Sequence, residues 1–311
     1  MAKILTVTLN PAIDVTLQLE NLQVGEVNRH HAVVSHAAGK GLNVAQVLKD
    51  LGHDVIVTGF LGADNRQIFD AHFVQEGFEN QFVYVAGETR QNIKIAEASG
   101  RMTDINGKGV QIDTIAKQQL FDKIQSLLTH IEIVVIAGSL PPGFDANELK
   151  QLIEWLSQQG KKVAVDTSGQ ALSAAIAANP WLIKPNGDEL TETYHLPAST
   201  YLEQQQLFQS IGHMQIQHII VSMGEGGVNW LHPTHPLHAQ APKVQVKSTV
   251  GAGDSLVAGM IHGLLTYYSP EEILKTATAI ASHAVTQIGF QVPDLSVIED
   301  LKQKIAINSL S

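Results

Sequence analysis

The chemistry in this chain concentrates in one short stretch, Ser248-Thr249-Val250-Gly251-Ala252-Gly253-Asp254. The apolar residues Leu256, Val257, Met260, Ile261, Leu264 and Leu265 follow it at helical spacing, which predicts a core-facing helix opening just after the glycines. The first N–H groups of a helix lack partners within it and, with the helix dipole, favour an anion. Gly251, Ala252 and Gly253 would let that anion come close to the main chain. Asp254 adds a carboxylate in the same place, where it would repel a phosphate held at rest. The combination suits phosphoryl transfer, with the carboxylate taking a proton from the attacking hydroxyl. The same string also reads as an N-capped core helix after a glycine turn.

Cationic partners are few. The chain has four arginines, Arg29, Arg66, Arg90 and Arg101, all in its first third, so any planar two-point grip on an anion must come from there. Gly39-Lys40-Gly41-Leu42-Asn43 opens a predicted helix and sets one mobile charge between two glycines; a capped surface turn would look the same. A nucleotide-binding P-loop is rejected, because position 42 is Leu and position 35 is not Gly. In Thr89-Arg90-Gln91-Asn92-Ile93-Lys94, strand alternation puts Arg90, Asn92 and Lys94 on one face, as either a polar wall or a solvated edge.

Three further strings follow predicted strands. Gly138-Ser139-Leu140-Pro141-Pro142-Gly143 offers backbone and hydroxyl donors, or a plain turn. Lys184-Pro185-Asn186-Gly187-Asp188-Glu189 puts an amide and a carboxylate on one face of a helix start, which suits either a hydrated Mg²⁺ or a capping box. Ser222-Met223-Gly224-Glu225-Gly226-Gly227 could admit a nucleotide or turn a hairpin. His232, His235 and His238 resemble a metal tract, but Pro233 and Pro236 break any helix that would align them and no acidic cluster accompanies them. The reading goes against a metal there. His30, His31 and His213 read as surface or core residues.

The elements that must position these groups alternate between short apolar runs and amphipathic helices. Strands are predicted at Lys3–Leu9, Val55–Leu61, Ile133–Ala137, Lys162–Asp166, Trp181–Lys184 and His218–Ser222. Helices are predicted from Gly39 to Leu51 and over Gln67–Gln75, Ile115–Leu128, Ala146–Gln158, Ala171–Ala178, Leu202–Ile211, 254–265 and 271–287. A hairpin is expected from Gly227–Leu231 and Lys243–Val246. Val15–Leu19, Val27–Val34, Phe82–Val85 and Asn92–Ala98 alternate without intervening helices and are expected to form a small β flap. This order predicts an α/β fold: a mostly parallel sheet covered on both faces, with ligands outside the carboxyl ends of its strands. One domain over 1–311 is expected, its lid built from about 13–35 and 82–106.

Composition narrows the function. With 20 basic and 30 acidic side chains and a net charge of −10, nucleic acid and anionic membranes are disfavoured as partners. The absence of cysteine removes disulfides and thiolate chemistry. The apolar start stops at Asn10-Pro11, too short for a signal peptide, and no long apolar run follows, so a cytoplasmic protein is expected. A dehydrogenase is rejected because Gly-x-Gly-x-x-Gly does not follow the first strand.

Taken together, the order and separation of these strings resemble the ribokinase-like (PfkB) sugar kinases over essentially the whole chain. The resemblance rests on Gly39-Lys40-Gly41 with Asn43, Lys184-Pro185-Asn186-x-x-Glu189, and Ser248 to Asp254. Thr8-Leu9-Asn10-Pro11-Ala12-Ile13-Asp14 is similar to the phosphosugar branch, which includes 1-phosphofructokinases and tagatose-6-phosphate kinases; the segments His36–Gly41 and Thr89–Lys94 look closer to the former. Ile288-Gly289-Phe290-Gln291-Val292 departs from the pattern, on the expected adenine side.

The resemblance implies a three-layer sandwich with a β lid, and ATP and Mg²⁺ as cofactors. It implies D-fructose 1-phosphate as acceptor at its 6-hydroxyl, with tagatose 6-phosphate or a non-catalytic sugar-phosphate sensor as rivals. Asp254 would be the general base and Gly251, Ala252 and Gly253 the amides around the transferred group. Lys40, Arg90 and Ser139 would hold the substrate phosphate, with Gly39 and Asn92 beside them, and Asp14 and Asn43 the sugar hydroxyls. Lys184, Ser222, Gly224, Gly227 and Ser248 would face ATP, and Asn186 and Glu189 would organise Mg²⁺. A homodimer pairing through the lid is expected.

Overall fold

The computed structural model describes residues 3–212, 215–232, 234–287, 291–292 and 295–310. The chain begins β1 (Lys3–Thr8), β2 (Ala12–Leu19), β3 (Ala32–Ala38), α1 (Lys40–Asp50), β4 (Asp54–Gly62), α2 (Gln67–Glu76), β5 (Glu79–Asn80), β6 (Val83–Val85), β7 (Gln91–Glu97) and β8 (Met102–Asn106). It continues α3 (Thr114–Leu127), β9 (Ile133–Ala137), α4 (Ala146–Gln158), β10 (Lys162–Asp166), α5 (Gly169–Ala177), β11 (Leu182–Ile183), α6 (Gly187–Tyr194) and α7 (Tyr201–Ser210). The last part runs β12 (His218–Ser222), β13 (Val228–Trp230), β14 (Leu237–Ala239), α8 (Ala252–Leu265), α9 (Pro270–Ala284), α10 (Leu295–Lys302) and β15 (Ile307–Ser309).

Successive strand residues point to opposite faces, and the short apolar runs supply both. In β1, Ile4 packs into a core with Leu48 of α1, Phe69 of α2, Val257 of α8 and Leu274 of α9. Its neighbour Leu5 packs into a second core with Ile124 of α3, Ile153 of α4, Ile176 of α5 and Phe208 of α7. A strand buried on both sides has no polar face, which is why Ile133–Ala137 carries no polar residue. The result is the expected three layers. The main sheet has the order β15-β14-β13-β12-β11-β10-β9-β1-β4-β5, with β6 also on β4. The pairs from β12 through β11, β10, β9 and β1 to β4 are parallel, and β13, β14 and β15 add an antiparallel edge.

A separate four-stranded sheet, β3-β2-β7-β8, forms the lid. Its centre is the parallel pair β2–β7, in which Asp14 lies opposite Asn92. Antiparallel β3 and β8 flank that pair.

Four expectations need correction. The second lid strand is Ala32–Ala38, later than Val27–Val34, because the polar Asn28 instead bonds Gln23 and Glu26 and closes a turn. Phe82–Val85 does not join the lid: Val83–Val85 pairs with β4, and the side chains of Phe82 and Val83 are buried in the main cores. The hairpin arm opposite β13 is Leu237–Ala239; the segment 243–246 forms no strand and Lys243, Gln245 and Val246 are exposed. Finally, α9 stops at Ala284, and two later elements were not foreseen: α10, whose Ile298 and Leu301 join the core, and β15, which completes the antiparallel edge through Leu237↔Ser309.

Candidate active site

The N-terminus of α8 is entered through Gly251, whose φ of 81° lies in the left-handed region glycine tolerates. Asp254 is the third residue of this helix and only 4% exposed. It caps nothing: the helix start carries no side-chain capping bond. Its Oδ2 instead accepts a hydrogen bond from Asn43 Nδ2 at 2.7 Å. Burial, helped by the Asp166 charge, pushes the Asp254 carboxyl up to about 6, against the pull of Lys40, Asn43 and Lys184. A carboxylate kept ionised near neutrality but easily protonated is what a general base requires.

Asp166, at the end of β10, is fully buried and bridges two lysines. Lys40 Nζ lies 3.3 Å from Asp166 Oδ1, and Lys184 Nζ lies 3.3 Å from the same oxygen. Burial acts to lower the Lys40 pKa, but Asp166, Asp254 and Glu189 outweigh it and hold the ammonium above the usual lysine range. A Cβ added at Gly253 would meet Lys184 Nζ at 3.2 Å, so this cation stands against the first turn of α8. Ammonium and open helix N-terminus together make a site for an anion. Sequence reasoning missed Asp166. The available signal was an acidic residue closing an apolar strand at its carboxyl end, where α/β sheets bind ligands.

The opposite wall is the lid. Arg90 Nη2 donates to Asn10 O at 2.9 Å, Nη1 to Gly107 O at 3.0 Å, Nε to Pro11 O at 3.3 Å, and Nη2 to Ser139 Oγ at 3.4 Å. Four of the five N–H groups that a guanidinium carries are therefore engaged, so the expected planar two-point grip is not free in this arrangement. Burial lowers the Arg90 pKa, partly offset by Asp14. Asn10, also missed, bonds Lys108 O, Ser139 Oγ and Leu140 O through Nδ2. Asp14 accepts from Asn92 Nδ2 at 3.1 Å and from Lys94 Nζ at 2.7 Å.

The glycines around Lys40 answer to packing as well as to any ligand. A Cβ on Gly39 would meet Thr8 Cγ2 at 2.7 Å, and one on Gly41 would strike Thr8 Oγ1 and come within 3.2 Å of Val7 O. The capping alternative is realised at Asn186: its Oδ1 accepts from Glu189 N at 2.7 Å, while Glu189 Oε2 accepts from Asn186 N at 2.9 Å.

These groups meet in one cleft of about 420 Å³. Asp14, Gly39, Lys40, Asn43, Arg90, Asn92, Lys184, Asn186, Glu189, Ser222, Gly251, Gly253 and Asp254 all line it, joined by Thr249 and Val250. Ser139 reaches it through Arg90. Ala252, Ser248, Gly224 and Gly227 are not among the lining residues. A Cβ on Gly227 would strike Ala239 O, so that glycine serves the hairpin. Ile288, Gly289 and Phe290, like His213, lie outside the described residues. His238 bonds Asn229 Oδ1 at 2.8 Å, and among the described residues no group of three or more metal-ligating side chains gathers. No helix among the described residues is long and apolar enough to cross a membrane.

Comparison with known proteins decides the family. Residues 3–296 match the pfkB family of carbohydrate kinases. The chain belongs to that family. It is 42% identical over 308 residues to a 1-phosphofructokinase of Vibrio cholerae, covering 99% of this chain and 97% of that one. The fold superposes on phosphofructokinase-2 of Escherichia coli in complex with fructose-6-phosphate with a TM-score of 0.87, at 28% identity, covering 97% and 99% of the two chains. A tetrameric inhibited form of that enzyme gives a TM-score of 0.86 at 28% identity, again covering 97% of this chain and 99% of that one. The ribokinase-like three-layer fold with a four-stranded lid and the similarity to 1-phosphofructokinases, both expected from sequence, are borne out.

Proposed function

We propose that this chain transfers the terminal phosphoryl group of ATP to the 6-hydroxyl of D-fructose 1-phosphate, giving fructose 1,6-bisphosphate. The observation that carries this reading is the placement of Asp254. A buried carboxylate stands in the first turn of α8, in the same cleft as Lys40 and Arg90. A phosphosugar gripped at its anionic end by the two cations can extend its far hydroxyl toward that carboxylate. Family membership and the 1-phosphofructokinase relative support the acceptor.

Asp254 takes the hydroxyl proton as the new P–O bond forms and the bond to the leaving diphosphate breaks. Amides of Gly251, Ala252 and Gly253, with the Lys184 ammonium against the first turn of α8, offset the negative charge on the migrating group. Lys40, Ser139 and the one Arg90 N–H not engaged within the protein hold the substrate phosphate, while Asp14, Asn43 and Asn92 address the sugar hydroxyls. Lys184 and Ser222 flank the nucleotide in the cleft, with Gly224 and Ser248 beyond its lining. Asn186 and Glu189 supply an oxygen donor set that fits a hydrated Mg²⁺, because each keeps acceptor capacity beyond the capping box. When bound, that ion neutralises nucleotide phosphate charge. The lid strands exclude water over the sugar and limit hydrolysis of ATP.

Exposed apolar residues on the lid, Val33 and Val34 of β3 and Met102 and Ile105 of β8, support pairing of two lids in a homodimer. A cytoplasmic enzyme follows from the need for ATP. The test is an ADP-release assay on a panel of sugar phosphates. Fructose 1-phosphate should give the highest kcat/KM; a higher value for tagatose 6-phosphate, or binding without ADP release, would replace this reading with one of its rivals.

A further inference from the structure

Lys94 has no part in the chemistry proposed above, yet the one lysine of the four lid strands is largely withdrawn from water: its side chain is 17% accessible and that of Asp14 10%. The pair is short, with Nζ 2.7 Å from Asp14 Oδ2. Asn92 Nδ2 donates to the other oxygen, Oδ1, at 3.1 Å. Both oxygens are thus held by donors from one strand, two residues apart and on the same face of β7. Asp14 lies opposite Asn92 in the β2–β7 register, so Lys94 reaches back along the strand to meet it. Asp104 stands directly opposite Lys94 on β8, a simpler partner across the ladder, but the ion pair is made with Asp14.

The placement has an electrostatic consequence. Asp14 and Asn92 line the cleft, whereas Lys94 stands behind them. The cleft already carries the carboxylates of Asp254 and Glu189, and on the sugar-phosphate kinase reading it must take two phosphorylated substrates. An uncompensated carboxylate at Asp14 would oppose the sugar phosphate and would be held by Asn92 at one oxygen only. With Lys94 in place its charge is balanced, while its remaining lone pairs can accept from sugar hydroxyls.

We propose that Lys94 is a positioning residue that fixes and neutralises Asp14 as the sugar-hydroxyl acceptor, and so sets affinity for the sugar phosphate more than the rate of transfer. This rests on the sugar-phosphate kinase reading. Wild-type ADP release with fructose 1-phosphate checks that reading by itself; the variants below check Lys94.

The experiment compares wild type with Lys94→Met, Lys94→Arg, Asp14→Asn and the Asp14→Asn/Lys94→Met double variant, in steady-state kinetics with fructose 1-phosphate and in thermal unfolding without substrate. Lys94→Met should raise KM roughly ten- to hundredfold, the range of a charge-assisted hydrogen bond, with a smaller change in kcat. Lys94→Arg should recover most of that loss. The double variant should bind the sugar better than Lys94→Met alone, because a neutral amide no longer needs a cation behind it. Losses that multiply in the double variant, or a fall in kcat at unchanged KM, would overturn the proposal. So would a KM loss matched by a lower Tm and not recovered by arginine, which would make the pair a lid brace only.

Discussion

Asn43 Nδ2 donates to Asp254 Oδ2 at 2.7 Å and ties the first turn of α1 to the first turn of α8. One helix carries Lys40 and the other opens on the glycine-rich loop, so this bond sets the distance between the grip on the sugar and the base. It also favours the ionised carboxylate, opposing the burial that pushes Asp254 up. Asn43→Ala should therefore move the acid limb of the kcat–pH profile, which begins near Asp254's value of about 6, upward by roughly 1–2 pH units. Profiles of the two proteins from pH 5 to 9 check it.

Asp166 is the counter-charge that Lys40 and Lys184 share, and Lys184 is only 4% exposed. Asp166→Asn leaves the buried Lys184 ammonium without its counter-charge beside Lys40, whose 39% exposed side chain is partly screened by water, and should cost about 1–3 kcal/mol in urea unfolding. The Asp166 charge also raises Asp254. In the surviving folded protein the acid limb should shift to lower pH, opposite in direction to Asn43→Ala.

Arg90 holds carbonyls just before β2, at Asn10 and Pro11, and just after β8, at Gly107. Arg90→Ala should raise KM for fructose 1-phosphate by roughly ten- to hundredfold and also destabilise the apoprotein by about 1–3 kcal/mol. Isothermal titration with the sugar phosphate and thermal unfolding without it separate the two effects.

Much of this arrangement was legible in the chain itself. Strands such as Ile133–Ala137 are apolar throughout, which only a sheet covered on both faces explains, and Asp254 was marked by the small residues before it. Asp166 escaped because nothing in its neighbourhood shows that lysines 126 residues back and 18 residues on will converge on it. Asn10 escaped for the same reason, and Lys94, placed on a polar strand face with Arg90 and Asn92, gave no sign of its pairing with Asp14, since these partners are set by the lid's crossings and register. The strand Val83–Val85 was misplaced because period-two alternation states that a segment is extended and not which sheet it joins. Gly39 and Gly41 were read as serving a ligand, yet contact with Thr8 already requires both.

The Asp254 charge is itself a burden on the fold. Its folded pKa of about 6 lies above the ordinary 3.8, so the wild type loses stability as pH rises from about 4 through 6. Asp254→Asn removes the charge while keeping an oxygen for Asn43. The variant should be more stable than wild type at pH 8, by roughly 2–3 kcal/mol, and no more stable at pH 4. Denaturation midpoints at the two pH values measure it.

The most direct measurement of the central claim is kcat for Asp254→Asn with saturating ATP, Mg²⁺ and fructose 1-phosphate at pH 8. If Asp254 is the base, turnover falls roughly 10²–10⁴-fold in a protein that remains folded and still binds the sugar phosphate. Turnover within a few-fold of wild type would contradict the assignment and move the proton transfer elsewhere in the cleft.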